Sequence, residues 1–204
     1  MKIVRTETLI SVGKCAASTD WANTREAIYV AIRSVDWPTG TGSFTLYPES
    51  GKKRGEGNGV KPIKIGLRRE LEAQGWAFES KSALPAVVRP GPLDALLTTA
   101  AGAVAVEWET GNISSSHRAL NKLVLGLMDG YYAAGVLVVP SRAMAAFLTD
   151  RIGTLAELTP YLKVWKAHAT SLETGILEIV EVEHDALSRD VPKIPKGTDG
   201  RASG

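Results

Sequence analysis

The stretch that decides the fold is GPLDALLTTAAGAVAVEWE, which runs from residue 91 to residue 109. It holds two short apolar runs, at 94–98 and 103–109, which predict two strands joined by a turn. Because side chains alternate across a strand, Glu107 and Glu109 share one face and Trp108 lies on the other. If the two strands pair, Asp94 approaches both glutamates. Three carboxylates at one point form an all-oxygen site that suits Mg²⁺.

A Glu-x-Glu pair also has a simpler explanation, since it most often marks the solvated face of a strand. Three features of its neighbourhood favour a site instead. The strand is otherwise strongly apolar, Asp94 lies 13 residues before Glu107 in a second apolar run, and a segment rich in hydrogen-bond donors follows at 111–118. Carboxylates held side by side require a cation between them, so the pattern predicts a metal site.

Length and composition are those of one globular domain. The 204 residues carry a net charge of +2 and are 44% hydrophobic and 23% charged, which predicts a single domain over residues 1–187. Residues 188–204 are polar, with prolines and glycines, so we expect a mobile tail. Cys15 is the only cysteine, which excludes an intrachain disulfide and a cysteine-based zinc cluster.

The sequence predicts neither a membrane span nor a targeting signal. No apolar run reaches the ~18 residues that a bilayer-spanning helix needs. The first residues lack the apolar core of a signal peptide. We therefore expect a cytoplasmic protein with no membrane partner.

The order of predicted elements indicates an α/β domain with a mixed central sheet flanked by helices. The pattern predicts strands or extended chain at 2–12, 76–79, 87–88, 94–98, 103–109, 135–139 and 176–182. It predicts helices at 21–36, 61–75, 117–130 and 141–152, and an amphipathic stretch at 155–167. The expected N-caps are Thr19 or Asp20, one of the serines at 114–116, and Ser141, while Gly75 is expected to end the second helix.

A basic loop, at about 48–62, precedes the second helix. Seven basic residues and a single acidic one lie between Gly51 and Arg69, and Lys52, Lys53 and Arg54 are consecutive. A local basic patch of this kind suits a polyanion. A solvated flexible loop explains the same composition equally well.

The donor-rich segment after the Glu-x-Glu strand supplies further candidates for binding phosphate. Asparagine, serine and arginine bind phosphates and base edges, and the candidates are Asn112, Ser114, Ser115, Ser116, His117 and Arg118. Helix capping is the simpler role, and we assign it to Ser116 in particular. We expect Lys122 to be a solvated helix residue, and Tyr131 and Tyr132 to lie in the core or an interface.

The ordered set of features over about residues 60–140 resembles the PD-(D/E)xK nuclease core. Within it, the chain is most similar to the BglII/BstYI group of type II restriction endonucleases, with BamHI as a relative. LEAQGW at 71–76 looks like the helix end and Gly-Trp pair before the active-site strands, and VEWETGN at 106–112 looks like the group's Glu-x-Gln/Glu-x-Gly-Lys/Asn strand and turn. Two departures leave the general base open: Glu109 stands where the usual core has lysine, and Pro92 is displaced from Asp94 by one residue.

The resemblance implies Mg²⁺-assisted hydrolysis of phosphodiester bonds in DNA. It makes Asp94 and Glu107 direct metal ligands, and the Trp108 carbonyl a further ligand. Glu109 would orient or deprotonate the attacking water, or bind a second metal. Because this core often carries an acid on the preceding helix, Glu70 would hold a metal-bound water; its alternative role is a surface residue paired with a neighbour on its own helix.

The resemblance also implies a homodimer, because an enzyme that reads a short palindromic site matches it with two-fold symmetry. The predicted helices at 117–130 and 141–152 are the candidate dimer faces. Three other functions stay open: a repair or structure-specific nuclease on the same core, a non-catalytic DNA-binding defence protein, and a metabolic α/β enzyme. The last is disfavoured, because GEGNG at 55–59 does not follow a convincing strand as a nucleotide-binding loop would.

Overall fold

The structure, a computed structural model, describes residues 1–52, 56–80, 91–149 and 151–195. The strands are β1 (Lys2–Val12), β2 (Thr45–Leu46), β3 (Ala77–Ser80), β4 (Leu93–Thr99), β5 (Gly102–Trp108), β6 (Ala134–Pro140), β7 (Gly175–Glu183) and β8 (Ala186–Leu187). The α-helices are α1 (Gly13–Ala16), α2 (Thr19–Arg33), α3 (Lys61–Glu72), α4 (Ile113–Met128), α5 (Arg142–Ala145), α6 (Leu155–Leu158) and α7 (Leu162–Lys166). Short 3-10 helices occupy Thr159–Tyr161 and Ala167–Ser171.

Six strands form one mixed sheet in the order β1-β7-β6-β5-β4-β3. β5, β6 and β7 run parallel to one another, whereas β1, β4 and β3 pair antiparallel with their neighbours. β6 is buried along its whole length, as expected for a fully apolar strand covered on both faces. β2 and β8 form a separate parallel pair. The predicted α/β fold, with a mixed central sheet flanked by helices, is confirmed.

Helices cover both faces of the sheet and divide the core in two. On one face α2 and α3 contribute buried side chains such as Ile32 and Leu67. On the other face α4, α6 and α7 contribute Leu123, Leu158 and Trp165. Within the described residues, every helix is too short or too polar to cross a membrane.

The helix that follows β5 begins earlier than the sequence predicts. The Asn112 side chain accepts a hydrogen bond from the Ser115 amide (3.3 Å), so α4 starts at Ile113 rather than near residue 117. Ser116 is therefore inside the first turn and fully buried, and its predicted role as the N-cap is wrong. At α2 the cap is Ser18, one residue before the two predicted candidates, because its hydroxyl already satisfies a free amide of the first turn.

The predicted helix at 141–152 is wrong beyond its first turn. Ser141 caps it as expected, but α5 ends at Ala145. The carbonyl groups that follow are used by another part of the chain: that of residue 146 accepts from the Gly51 amide (3.0 Å), and that of Phe147 accepts from the Asn58 amide (2.8 Å). Long-range hydrogen bonds, which local periodicity cannot reveal, thus end this helix.

Asn58 joins three segments of the chain. Its fully buried side chain donates to the carbonyls of Tyr47 (2.8 Å) and Phe147 (2.9 Å), and its Oδ1 accepts from the Ile194 amide (3.3 Å). The basic loop is thereby fastened to the segment after α5 and to the C-terminal segment. Because Ile194 is buried, the polar segment that begins at residue 188 is bound to the domain as far as this residue. The extended chain predicted at 87–88 and residues 196–204 lie outside the described residues.

Candidate active site at the end of the central hairpin

Three neighbouring strands carry a row of carboxylates across the sheet. The register of β4 on β5 sets Asp94 opposite Glu107, one step beyond the last paired residues. The register of β3 on β4 sets Glu79 beside Asp94. Glu109 follows directly after β5 and stays attached to β6 through its amide, which donates to the Val138 carbonyl (3.0 Å). The hairpin predicted from the sequence therefore brings Asp94 to the Glu-x-Glu strand.

Both carboxylate oxygens of Asp94 have partners. Its Oδ2 accepts a hydrogen bond from the Trp108 amide (2.8 Å), which fixes the side chain to the backbone of β5. Its Oδ1 accepts from the Lys64 ammonium on α3 (2.6 Å). Asp94 is thus held between a backbone donor and a half-exposed side-chain cation.

Glu107 is only 3% exposed and forms an ion pair with Lys122 of α4, which is 7% exposed. The Lys122 ammonium also donates to the Pro92 carbonyl (2.9 Å), so it ties the start of β4 to β5. Burial raises the pKa of Glu107 to about 7, an effect that Lys122 opposes and that Asp94 and Glu109 reinforce. The prediction that Lys122 is a solvated helix residue is wrong, because it lies on the face of α4 that packs on the sheet.

Glu109 is half-buried at the same end of the hairpin. Burial raises the pKa of its carboxyl group and Asp94 adds to the rise, while Lys64, Arg118 and Lys122 oppose it. Burial alone would lower the pKa of Lys64, but Asp94, Glu109 and Glu79 together raise it above its usual value. The Lys64 ammonium therefore lies in the field of carboxylates from three strands.

Glu79 is not among the site residues that the sequence predicts. Its φ of +48° is rare for a residue other than glycine, and such backbone strain concentrates at functional sites. A clue was present, because Glu79 ends the extended segment predicted at 76–79. Glu70, the helix acid that the resemblance implies, forms local hydrogen bonds: its carboxylate accepts from Arg69 (3.3 Å) and its backbone carbonyl from Gln74 (3.2 Å).

The residues proposed for DNA contacts are divided between surface and core. Asn112, Ser114 and Arg118 are exposed at the start of α4, as is Lys52 in the basic loop, whereas Ser116 is fully buried. Ser115 is half-buried. His117 is also half-buried and packs edge-on against Tyr161, with ring centroids 4.9 Å apart. Lys53 and Arg54 lie outside the described residues. Of the two tyrosines expected in the core or an interface, Tyr132 is buried and Tyr131 is exposed.

The carboxylates have the chemistry for a hard divalent cation, although they are not arranged as a ready-made site. Among the described residues, no three carboxylate, imidazole or thiolate side chains stand together so as to hold a metal ion. The ammonium groups of Lys64 and Lys122 offset part of the charge of the row instead. Oxygen donors of this kind are those that Mg²⁺ prefers, so the chemistry of the donor set fits the predicted cofactor.

Comparison with known proteins assigns the chain to a family. The family model described as "Restriction endonuclease BamHI" matches residues 1–201. The type II restriction enzyme OkrAI of Oceanobacter kriegii is 48% identical over 202 residues, which are 99% of this chain and 99% of that enzyme. The type II restriction enzyme BamHI of Bacillus amyloliquefaciens is 31% identical over 180 residues, 85% of this chain and 79% of that enzyme. A crystal structure of restriction endonuclease BglII complexed with a DNA 16-mer is similar at a TM-score of 0.45 and 11% identity, over 60% of this chain and 55% of that one.

The family model and the two related enzymes confirm the resemblance to type II restriction endonucleases drawn from LEAQGW and VEWETGN, and they place the chain with BamHI. The sequence similarity extends over nearly the whole chain and includes the strands that carry the carboxylates. The chain therefore belongs to the BamHI family of type II restriction endonucleases.

Proposed function

We propose that this protein hydrolyses duplex DNA with Mg²⁺, at a short palindromic site, as a cytoplasmic homodimer built from a single nuclease domain. The observation that carries the proposal is the row of Glu79, Asp94 and Glu107, with Glu109 beside it, on neighbouring strands. Such a concentration of carboxylates needs cations, and the substrate of an endonuclease brings further negative charge to the same place.

Asp94 and Glu107 are the proposed metal ligands, with the Trp108 carbonyl as a third. Glu79 replaces Glu70 as the acid that would hold a water near the metal, because Glu79 borders Asp94 in the register of β3 on β4. When bound, Mg²⁺ supplies Lewis acidity, which favours ionisation of water and offsets the charge that develops on the phosphate.

Glu109 is the proposed general base. A half-buried carboxylate whose pKa is raised by burial is a stronger base than one in water. It would take the proton of the water that attacks phosphorus onto one of its carboxylate oxygens. Arg118 and Lys122, whose charges favour the ionised form of Glu109, would keep it ready for this transfer.

The proposed DNA-binding surface combines the start of α4 with the basic loop. Asn112 caps α4, and Ser114 and Arg118 are exposed on its first two turns, shortly after the strand that carries Glu107. Lys52 lies in the loop that Asn58 fastens to the domain. Polar groups so close to the carboxylate row would position the scissile phosphate on it.

The proposed dimer face is the exposed side of α4 with the adjoining turn and helix. Asn121, Leu125 and Met128 are exposed at helical spacing, and the two apolar side chains among them lie 51% and 46% in solvent. Tyr161 and Val164 are further exposed apolar residues in the α6–α7 region, which packs on α4. Since α5 is a single turn, this region replaces the predicted 141–152 helix as the second element of the face.

The test is cleavage of unmethylated plasmid DNA with Mg²⁺ or with EDTA, followed by sequencing of the ends. We expect discrete Mg²⁺-dependent fragments. Asp94→Ala and Glu107→Ala should abolish cutting and leave DNA binding intact, whereas the exposed surface control Glu72→Ala should cut normally. Undiminished turnover in either site variant would refute the metal-ligand assignment. Cutting of branched DNA alone would favour the repair nuclease, and metal-independent binding without any cutting would favour the non-catalytic protein.

A further inference from the structure

Two lysines reach the carboxylate row, and their surroundings differ. Lys122 is almost fully buried and is fixed by two partners, Glu107 and the Pro92 carbonyl. The side chain of Lys64 is 48% exposed, and it reaches Asp94 from the helix on the opposite face of the sheet. A buried lysine with two partners is costly to move, whereas a half-exposed one can leave with little loss of packing.

The oxygens of Asp94 show what Lys64 blocks. Oδ2 is engaged by the Trp108 amide, which belongs to the backbone and stays in place. Oδ1 is the remaining oxygen, and it is held by Lys64 at 2.6 Å. A divalent cation that uses Asp94 as a ligand therefore competes with the Lys64 ammonium for one atom.

Electrostatics explains why a lysine occupies this position. Asp94, Glu109 and Glu79 all act on the Lys64 ammonium, and without a cation among them they would repel one another. We infer that Lys64 is a displaceable internal cation, which holds Asp94 in place in the metal-free protein and withdraws when a divalent cation binds. This inference rests on the proposed metal-dependent function. Lys122 remains in both states and keeps Glu107 oriented as a positioning residue.

The withdrawn Lys64 has a second partner available. It lies on α3, whose first residues end the basic loop, so its ammonium can pair with a phosphate of bound DNA once Asp94 has been released. DNA then removes the competitor of the metal, and the metal frees a cation for DNA. Because such coupling is reciprocal, each ligand strengthens the binding of the other.

The first experiment measures Ca²⁺ binding to the metal-free protein without DNA, by calorimetry and by the amide ¹⁵N–¹H shift of Trp108, which reports on Asp94. We expect Lys64→Gln to bind Ca²⁺ roughly tenfold more tightly or better than the unmodified protein, since it removes a positive charge next to the ion. Lys64→Arg keeps the positive charge, so it should bind Ca²⁺ no more tightly than the unmodified protein. Lys61→Gln, on the exposed first turn of the same helix, is the matched control for a lost surface charge.

The outcomes separate this inference from the proposed function on which it rests. A Trp108 shift that saturates equally in the unmodified protein and in Lys64→Gln would keep the metal site but refute the competition. Weaker Ca²⁺ binding by Lys64→Gln would also refute it and would make Lys64 a supporting residue. No Ca²⁺-dependent shift in any variant, Lys64→Met included, would overturn the metal site itself.

The second experiment repeats the titration with a duplex that carries the sequence recovered from plasmid cleavage. DNA should tighten Ca²⁺ binding by the unmodified protein and should do so less in Lys64→Gln, because that variant has no competitor to remove. Equal tightening in both proteins would refute the transfer of Lys64 to the DNA backbone.

Discussion

Replacement of Lys122 by methionine tests the buried pair at the centre of the site. Methionine keeps most of the apolar part of the lysine side chain, so little packing is lost. The substitution removes one hydrogen-bond donor and one positive charge. The Pro92 carbonyl loses its donor, which costs about 1 kcal/mol, and Glu107 loses the cation that opposes the rise of its pKa. We therefore expect the pKa of Glu107 in the folded variant to rise above the value of about 7 that it has beside Lys122.

The sign of the pH dependence follows from proton binding. Burial places the folded pKa of Glu107 at about 7, above the ordinary range of a glutamate, so between its unfolded and folded pKa the folded state holds more protons and stability falls as pH rises. In the unmodified protein this loss ends near the folded pKa, whereas in Lys122→Met it continues upward at about 1.4 kcal/mol per pH unit. We expect the substitution to cost about 1 kcal/mol near pH 5 and about 2–3 kcal/mol near pH 8.

Urea unfolding of the metal-free protein in EDTA, at equal protein concentration across the pH range, measures the loss of stability near pH 5 and near pH 8. The exposed substitution Lys61→Met is the control and should cost little at any pH. Glu107→Gln combined with Lys122→Met should remove the Glu107 contribution to the pH dependence. A loss of stability that is the same at low and high pH, or a double variant that keeps the additional pH dependence of Lys122→Met, would refute the reasoning.

Three further predictions concern packing, assembly and DNA binding. Gly126→Ala should lower stability by about 1–3 kcal/mol in thermal unfolding, because an added Cβ would overlap the ring of Tyr132. Leu125→Asp, which places a charge on the exposed side of α4, should convert the proposed dimer to monomer in sedimentation without unfolding it. Lys52→Ala should weaken DNA binding at every sequence and reduce the slope of log affinity against log salt by about 0.9 for one lost phosphate contact; an unchanged slope would assign Lys52 to solvent.

The sequence was informative where neighbours along the chain decide the geometry. A short turn fixes the register of the β4–β5 hairpin, so the approach of Asp94 to Glu107 could be predicted. Lys122 lies beside Ala119 and Leu123 on the apolar side of α4, which indicates a buried position. Its charge indicates an exposed one, and the sequence could not decide between them without a buried partner such as Glu107. The position of Glu79 at the site depends on an unusual backbone angle and on the pairing of β3 with β4. The end of α5 is set by tertiary hydrogen bonds. Neither feature could be predicted from local periodicity.

The attachment of the basic loop has a consequence for the continuity of the chain. Gly51 and Asn58 are each hydrogen-bonded to the segment after α5, and Asn58 is also held by Tyr47 and by the amide of Ile194. Each end of the loop therefore has its own hydrogen bonds to the rest of the domain and does not rely on the other end to stay in place. A single cut between residues 52 and 56 should leave the two fragments associated and folded, which makes this loop the place to open the chain for new termini or to insert a reporter.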